Sequence, residues 1–214
     1  RKILLLPGDG IGPEVIAKTL SMQEVTERCL PLIVGNADLL LKAIALTNTG
    51  PSIQVVESPE QINVKPGFVP VLDMGNLDVK DVTPGQVSAS TGKAAMEWVV
   101  RAGELCMEGT VAAMATAPLH KLAARLAGYE DIGHMEILQR LSDSPKVLTM
   151  LTSKGLRVVH LTTHRSLKRA CEFVTRENVL EALLLTNKVF QTWGIKEPRL
   201  GVAALKSATA RVAR

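Results

Sequence analysis

Aromatic side chains are scarce in this 214-residue chain: three Phe, two Trp and one Tyr make up 3% of it. Proteins that bind single-stranded nucleic acid stack bases on aromatics set within a basic surface. That signature is missing, and the formal charge of +4 is mild, with Lys206, Arg211 and Arg214 supplying much of the excess from the last nine residues. Nucleic acid is therefore not an expected partner. Cysteine is almost as rare. Cys29, Cys106 and Cys171 are odd in number, far apart and outside any CxxC pattern, which argues against a disulfide framework or a zinc knuckle and for reduced thiols in a cytoplasmic protein. No apolar run approaches the ~20 residues that a membrane helix needs, and no charged-then-apolar leader opens the chain, so neither membrane nor export is expected. HExxH, GxSxG, the dinucleotide GxGxxG and the Walker A loop are missing too, so no metalloprotease, serine hydrolase or P-loop reading is available from local motifs.

What remains is ordinary for a globular domain, with 46% apolar and 21% charged residues. The core must rest on Leu, Val, Ile, Ala and Met. Short apolar runs alternate with helical segments. Strands are expected at Lys2–Leu6, Leu30–Val34, Ile53–Glu57, Val69–Asp73, Val111–Ala115, Lys146–Leu151, Leu156–Leu161 and Arg199–Leu205. Helices are expected after Pro13 through Arg28, after Asn36, from Thr83-Pro84 to about Glu108, over His134–Arg140, and behind the caps Ser166 and Thr175. In the long helix Val87, Ala94, Ala95, Trp98 and Leu105 fall along one side, while Ser88, Ser90 and Gly92 weaken its first half. Val179, Leu183, Phe190 and Trp193 share a face of the last one. Strand–helix alternation of this kind predicts an α/β protein whose sheets are largely parallel and flanked by helices.

All four histidines fall between Thr116 and His164. Open α/β sheets bind ligands at the carboxyl ends of their strands, and the turn Gly8–Gly12, the segment Thr116–Lys121 and the segment Thr162–His164 all leave such ends. His164 reads either as a metal ligand or as a helix-start residue bonded to backbone. His134 could donate to an anionic substrate or cap a helix. His120-Lys121 could meet a phosphate or form an exposed loop pair. Asp9 and Glu14 could hold a cation or favour a helix end, and His160 is expected to pack or face solvent.

Read together, PGDGIGPEVIAKTL (7–20), VGNADLLLKA (34–43), TPGQVSASTGKA (83–94), TAPLHK (116–121), GHMEIL (133–138), LRVVHLTTH (156–164) and WGIKEPRLGVAAL (193–205) resemble, in order, the 4-hydroxythreonine-4-phosphate dehydrogenase family. The resemblance implies two α/β domains of the isocitrate/isopropylmalate dehydrogenase type in a homodimer, with the active site between subunits. The first domain would cover 1–128 and the second 129–214, both lacking parts that the family's later sequence supplies. It also implies oxidation of a small phosphorylated hydroxy acid by NAD or NADP, with a divalent metal (zinc, magnesium or cobalt) and loss of CO₂ from the β-keto acid. His164 becomes a metal ligand, and His134 and Met135 substrate contacts.

Three departures stand out. The glycine turn GDGIGPE is two residues shorter than the family's GDPAGIGPE and closer to isopropylmalate dehydrogenases. GHME replaces GHTE, exchanging a hydroxyl for Met135. The family's NPHAGE segment, with its further metal histidines, is not found after Leu205. A truncated or joined subset of a longer polypeptide is therefore expected. With it come two alternatives to the dehydrogenase reading: an inactive remnant or binding protein, and an isopropylmalate-type decarboxylating enzyme.

Overall fold

The computed structural model describes residues 2–6, 10–59, 67–130 and 133–203. The chain divides into two compact units, 1–145 and 146–214. The first unit includes a helix over His134–Leu141, which packs on its long helix.

The first unit is built on five parallel strands: β1 (Lys2–Leu6), β2 (Leu30–Gly35), β3 (Ser52–Val56), β4 (Phe68–Asp73) and β5 (Ala113–Thr116). Their order in the sheet is β3-β4-β2-β1-β5. The connections are α1 (Gly12–Leu20) and α2 (Gln23–Arg28) after β1, α3 (Ala37–Thr47) after β2, and α4 (Ala89–Met107) after β4. α5 (Lys121–Leu126) and α6 (His134–Leu141) follow β5.

Side-chain alternation along β2 distributes the core over both faces of the sheet. Leu32 and Val34 join Val56, Leu72 and the Ala94, Ala95, Trp98, Ala102 and Leu105 face of α4. Ile33 points the other way, onto Ile16, Ala17 and Leu20 of α1 and Ala37, Leu40 and Ala43 of α3. Trp98, 1% exposed, anchors the first layer, and its indole N–H donates to Asn76 Oδ1 at 2.9 Å. Asn36 caps α3 by accepting from the Leu39 N–H at 2.8 Å, and Asp73 at the end of β4 accepts from the Ala37 N–H at 2.9 Å. One carboxylate thus ties a strand end to a helix start, where the helix dipole favours it.

Several expected elements differ in detail. Thr83-Pro84 does not open α4: Gln86 donates to the Thr83 carbonyl in a turn, and Gly85 has φ +79°. A left-handed residue there interrupts a helix, so α4 begins behind Ser88, whose hydroxyl accepts from the Thr91 N–H. Val87 accordingly lies outside it. The helix after Pro13 breaks at Ser21–Met22, where Met22 is extended.

The second unit contains a hairpin of β6 (Met150–Ser153) and β7 (Leu156–Val159), followed by α7 (Leu167–Phe173) and α8 (Arg176–Thr192). Its strands are antiparallel and shorter than expected. Lys154 and Gly155 both have positive φ, the two-residue turn that matches strand twist. Ser166 and Thr175 cap the two helices as the sequence predicts. Residues 199–203 form no strand, and 204–205 lie outside the described residues. On α8 the buried residues are Ala182, Thr186 and Phe190. Trp193 stands just past the helix end and is 58% exposed, with its ring 5.7 Å from that of Phe190 between centroids.

Candidate active site

The winding of the sheet changes direction between β1 and β5. From β1 the chain crosses to β2 on one side, and from β4 it crosses back to β5 on the other. Such a switch point opens a crevice at the carboxyl ends of the two strands. The register pairs Leu6 with Thr116, so the carboxyl ends of β1 and β5 lie side by side. Gly8 and Asp9 of the expected glycine turn lie outside the described residues; Gly10 and Ile11 lead into α1. Glu14, in the first turn of α1, keeps one carboxylate oxygen buried without a hydrogen-bond partner among the described residues. Across the switch point, His120 occupies the N-cap position of α5 without capping it through its side chain, and the exposed Lys121 is the first helical residue.

His134 is the first residue of α6, and Gly133 is the N-cap, so His134 is not a capping residue. Its spacing explains its environment. Ile137 and Leu138 lie three and four residues after His134, and Leu141 four and three residues after them, which puts all four on one stripe of the helix. Ile137 is fully buried with Met96, Val99 and Ala124, and Leu138 and Leu141 lie against Gly103 of α4. His134 thus stands one turn ahead of the residues that pack on α4, on the same stripe of α6. Its Nε2 is buried and has no partner among the described residues. Burial pushes the His134 pKa below the ordinary histidine value, and the neighbouring Glu136 carboxylate opposes that shift without cancelling it.

Glu136 itself was not legible as part of the site. It folds back over the helix start so closely that a Cβ on Gly133 would lie within 2.3 Å of its Oε2. Glycine at 133 makes room for that carboxylate, and an acid in the first turn suits the helix dipole. Met135 is 37% exposed.

His164 lies in the second unit, between β7 and α7, exposed and with φ +53°. Ser166 caps α7, so His164 is not the helix-start residue of the alternative reading. A non-glycine residue in the left-handed region carries strain, a feature concentrated at functional sites. His160 is half-buried, and its N–H donates to the Thr149 carbonyl at 3.0 Å. Arg165 is held over the Phe173 ring at 4.0 Å. Among the described residues, no three His, Cys, Asp or Glu side chains converge to hold a metal ion. His164 by itself does not form a metal centre.

Residues 27–208 match the family described as pyridoxal phosphate biosynthetic protein PdxA. The chain belongs to the PdxA family. A Clostridium botulinum relative, provisionally named a D-threonate 4-phosphate dehydrogenase, is 34% identical over 196 residues, covering 92% of this chain and 59% of its own length. The crystal structure of a 4-hydroxythreonine-4-phosphate dehydrogenase from Burkholderia phymatum is similar at a TM-score of 0.84 and 32% identity, over 92% of this chain and 60% of that one. The Klebsiella pneumoniae 4-hydroxythreonine-4-phosphate dehydrogenase structure gives a TM-score of 0.85 at 32% identity, over 93% and 61%. This PdxA-family chain thus spans about 60% of the length of the relatives it matches. The family resemblance and the α/β class read from the sequence are both borne out.

Proposed function

We propose that the protein carrying this sequence is a dehydrogenase of a small phosphorylated hydroxy acid, such as 4-hydroxythreonine 4-phosphate or D-threonate 4-phosphate. The observation behind this reading is the match to proteins named for those activities across more than nine-tenths of the chain. In the proposed reaction, hydride passes from the substrate's secondary alcohol carbon to NAD⁺ or NADP⁺ and the hydroxyl proton is released. The resulting β-keto acid then loses CO₂. The step would serve pyridoxal phosphate biosynthesis or a related catabolic route in the cytoplasm, in a homodimer with domains over 1–128 and 129–214. None of the helices among the described residues is long and apolar enough to cross a membrane.

His134 and Met135 are the proposed substrate contacts. The buried, unpartnered Nε2 of His134 is the feature of this structure that supports a ligand there, since a buried polar atom is costly until it finds a hydrogen bond. His164 is the proposed ligand of a divalent zinc, magnesium or cobalt ion; no two further ligands converge on it among the described residues, so no chemical step is assigned to the metal.

The test is NAD(P)H formation with each phosphorylated hydroxy acid, with and without a chelator, using an alkylmalate as the control for the isopropylmalate-type alternative. Turnover abolished by chelation, with metal content reduced in His164→Ala, is the expected result. Substrate binding in calorimetry with no NAD(P)H formed under any condition would favour the remnant reading, which Met135 and the lone His164 motivate.

A further inference from the structure

α4 is buried on two sides. One side lies on the sheet. The other is the stripe Gly92, Met96, Val99, Gly103, spaced four, three and four apart and therefore aligned along the helix. Large residues occupy the middle of this stripe and glycines occupy its ends. At one end, α5 approaches Gly92 through its backbone at Ala123. At the other, a Cβ on Gly103 would lie 2.5 Å from Leu141 Cδ1 and 3.4 Å from Leu138 Cδ2 of α6. Gly103 has no strained backbone angle and is not needed for a turn; it lies inside a regular helix, where glycine is a poor choice. Its role is the room it leaves for α6.

α6 is a helix of eight residues in which Ile137, Leu138 and Leu141 pack along that seam, with His134 one turn ahead on the same stripe. A short helix moves as a body. Pressure on Leu138 and Leu141 at its C-terminal end therefore tilts the N-terminal end that carries His134. We propose that Gly103 is a positioning residue for His134: by letting α6 seat fully on α4, it keeps the imidazole Nε2 buried and unpartnered, ready for a ligand. The proposal rests on the reading of His134 as a substrate contact for its functional meaning, but not for its geometry.

The test is a histidine NMR titration of the whole, ligand-free chain, in which four imidazole signals report separately. In Gly103→Ala the His134 midpoint should rise toward the ordinary histidine value as water reaches Nε2, while His120, His160 and His164 keep theirs. Leu141→Val, which removes the atom nearest the new methyl group, should restore the low midpoint when combined with Gly103→Ala. Leu141→Phe, pressing on the same contact from the α6 side, should reproduce the rise and serves if Gly103→Ala does not fold. A His134 midpoint unchanged in both Gly103→Ala and Leu141→Phe, or four midpoints shifting together, would overturn the assignment. Because no substrate is present, a failed titration is distinct from a failed turnover assay.

Discussion

Replacing Gly92 by alanine sets two effects of known sign against each other. In an unconstrained helix interior, Gly→Ala stabilises by about 1 kcal/mol. At position 92 the added Cβ would stand 2.2 Å from both the carbonyl carbon and the oxygen of Ala123, and 2.8 Å from the Ala124 nitrogen. These are backbone atoms, so no rotamer change relieves the overlap, and α5 must retreat by about 1 Å to reach ordinary contact distance. Retreat loosens Ala123 and Ala124, which are 1% and 2% exposed, and with them the cluster of Met96, Val99 and Ile137. Overpacking of this kind costs about 1–3 kcal/mol, and a rigid partner puts it at the upper end. Subtracting the propensity gain leaves a loss of about 2 kcal/mol, or a fall in Tm of about 4–8 °C for a chain of this size. Thermal and urea unfolding followed by circular dichroism measure it. A Gly92→Ala protein melting at or above the parent temperature would show that the close approach of α5 does not decide the position.

Gly103→Ala should lose less in the same assay, because the atoms it meets are side-chain ends on the short α6 rather than backbone; a small tilt of α6 relieves the overlap, and the propensity gain offsets its cost to within about 1 kcal/mol. Asp73→Ala removes the acceptor of the Ala37 and Gly75 N–H groups and should cost about 1–3 kcal/mol by urea titration. The lowered pKa of His134 makes the unfolded chain the better proton binder between its folded pKa and about 6.5. His134's contribution to stability is therefore complete above that range and is lost as pH falls through it; His134→Gln should flatten this part of the stability–pH curve, and an unchanged slope would contradict the assigned environment. Thiol titration should find Cys171, which is exposed, reacting before Cys106, whose thiol is pushed up by burial.

Most of the first unit is legible in its residues. LPLIV is a continuous apolar run because both faces of this parallel strand are covered. Asn36, Ser166 and Thr175 announce helix starts because their side chains accept from N–H groups that nothing else satisfies. Thr83-Pro84 misleads because it satisfies the same local rule five residues early, and only the left-handed Gly85 decides between the two starts. Arg199–Ala203 has a strand's composition, but composition does not supply a pairing partner.

The candidate site divides similarly. That His134 and His164 sit at element edges follows from the chain order, and the stripe of His134 with Ile137, Leu138 and Leu141 is visible once α6 is accepted as a helix. The left-handed backbone of His164 leaves no trace in residue type. Gly92, which reads as a weakness in α4, is instead where another backbone comes closest.

The seam on α4 also bears on how such a protein can change over generations. The helix that carries His134 and the helix that begins at Lys121 rest on the same stripe of the same rod. A substitution in that stripe is inherited by both arms at once, so they cannot drift independently. Variation that retunes one arm alone must arise in the arm itself, in residues such as Leu138 and Leu141, while the stripe stays as it is.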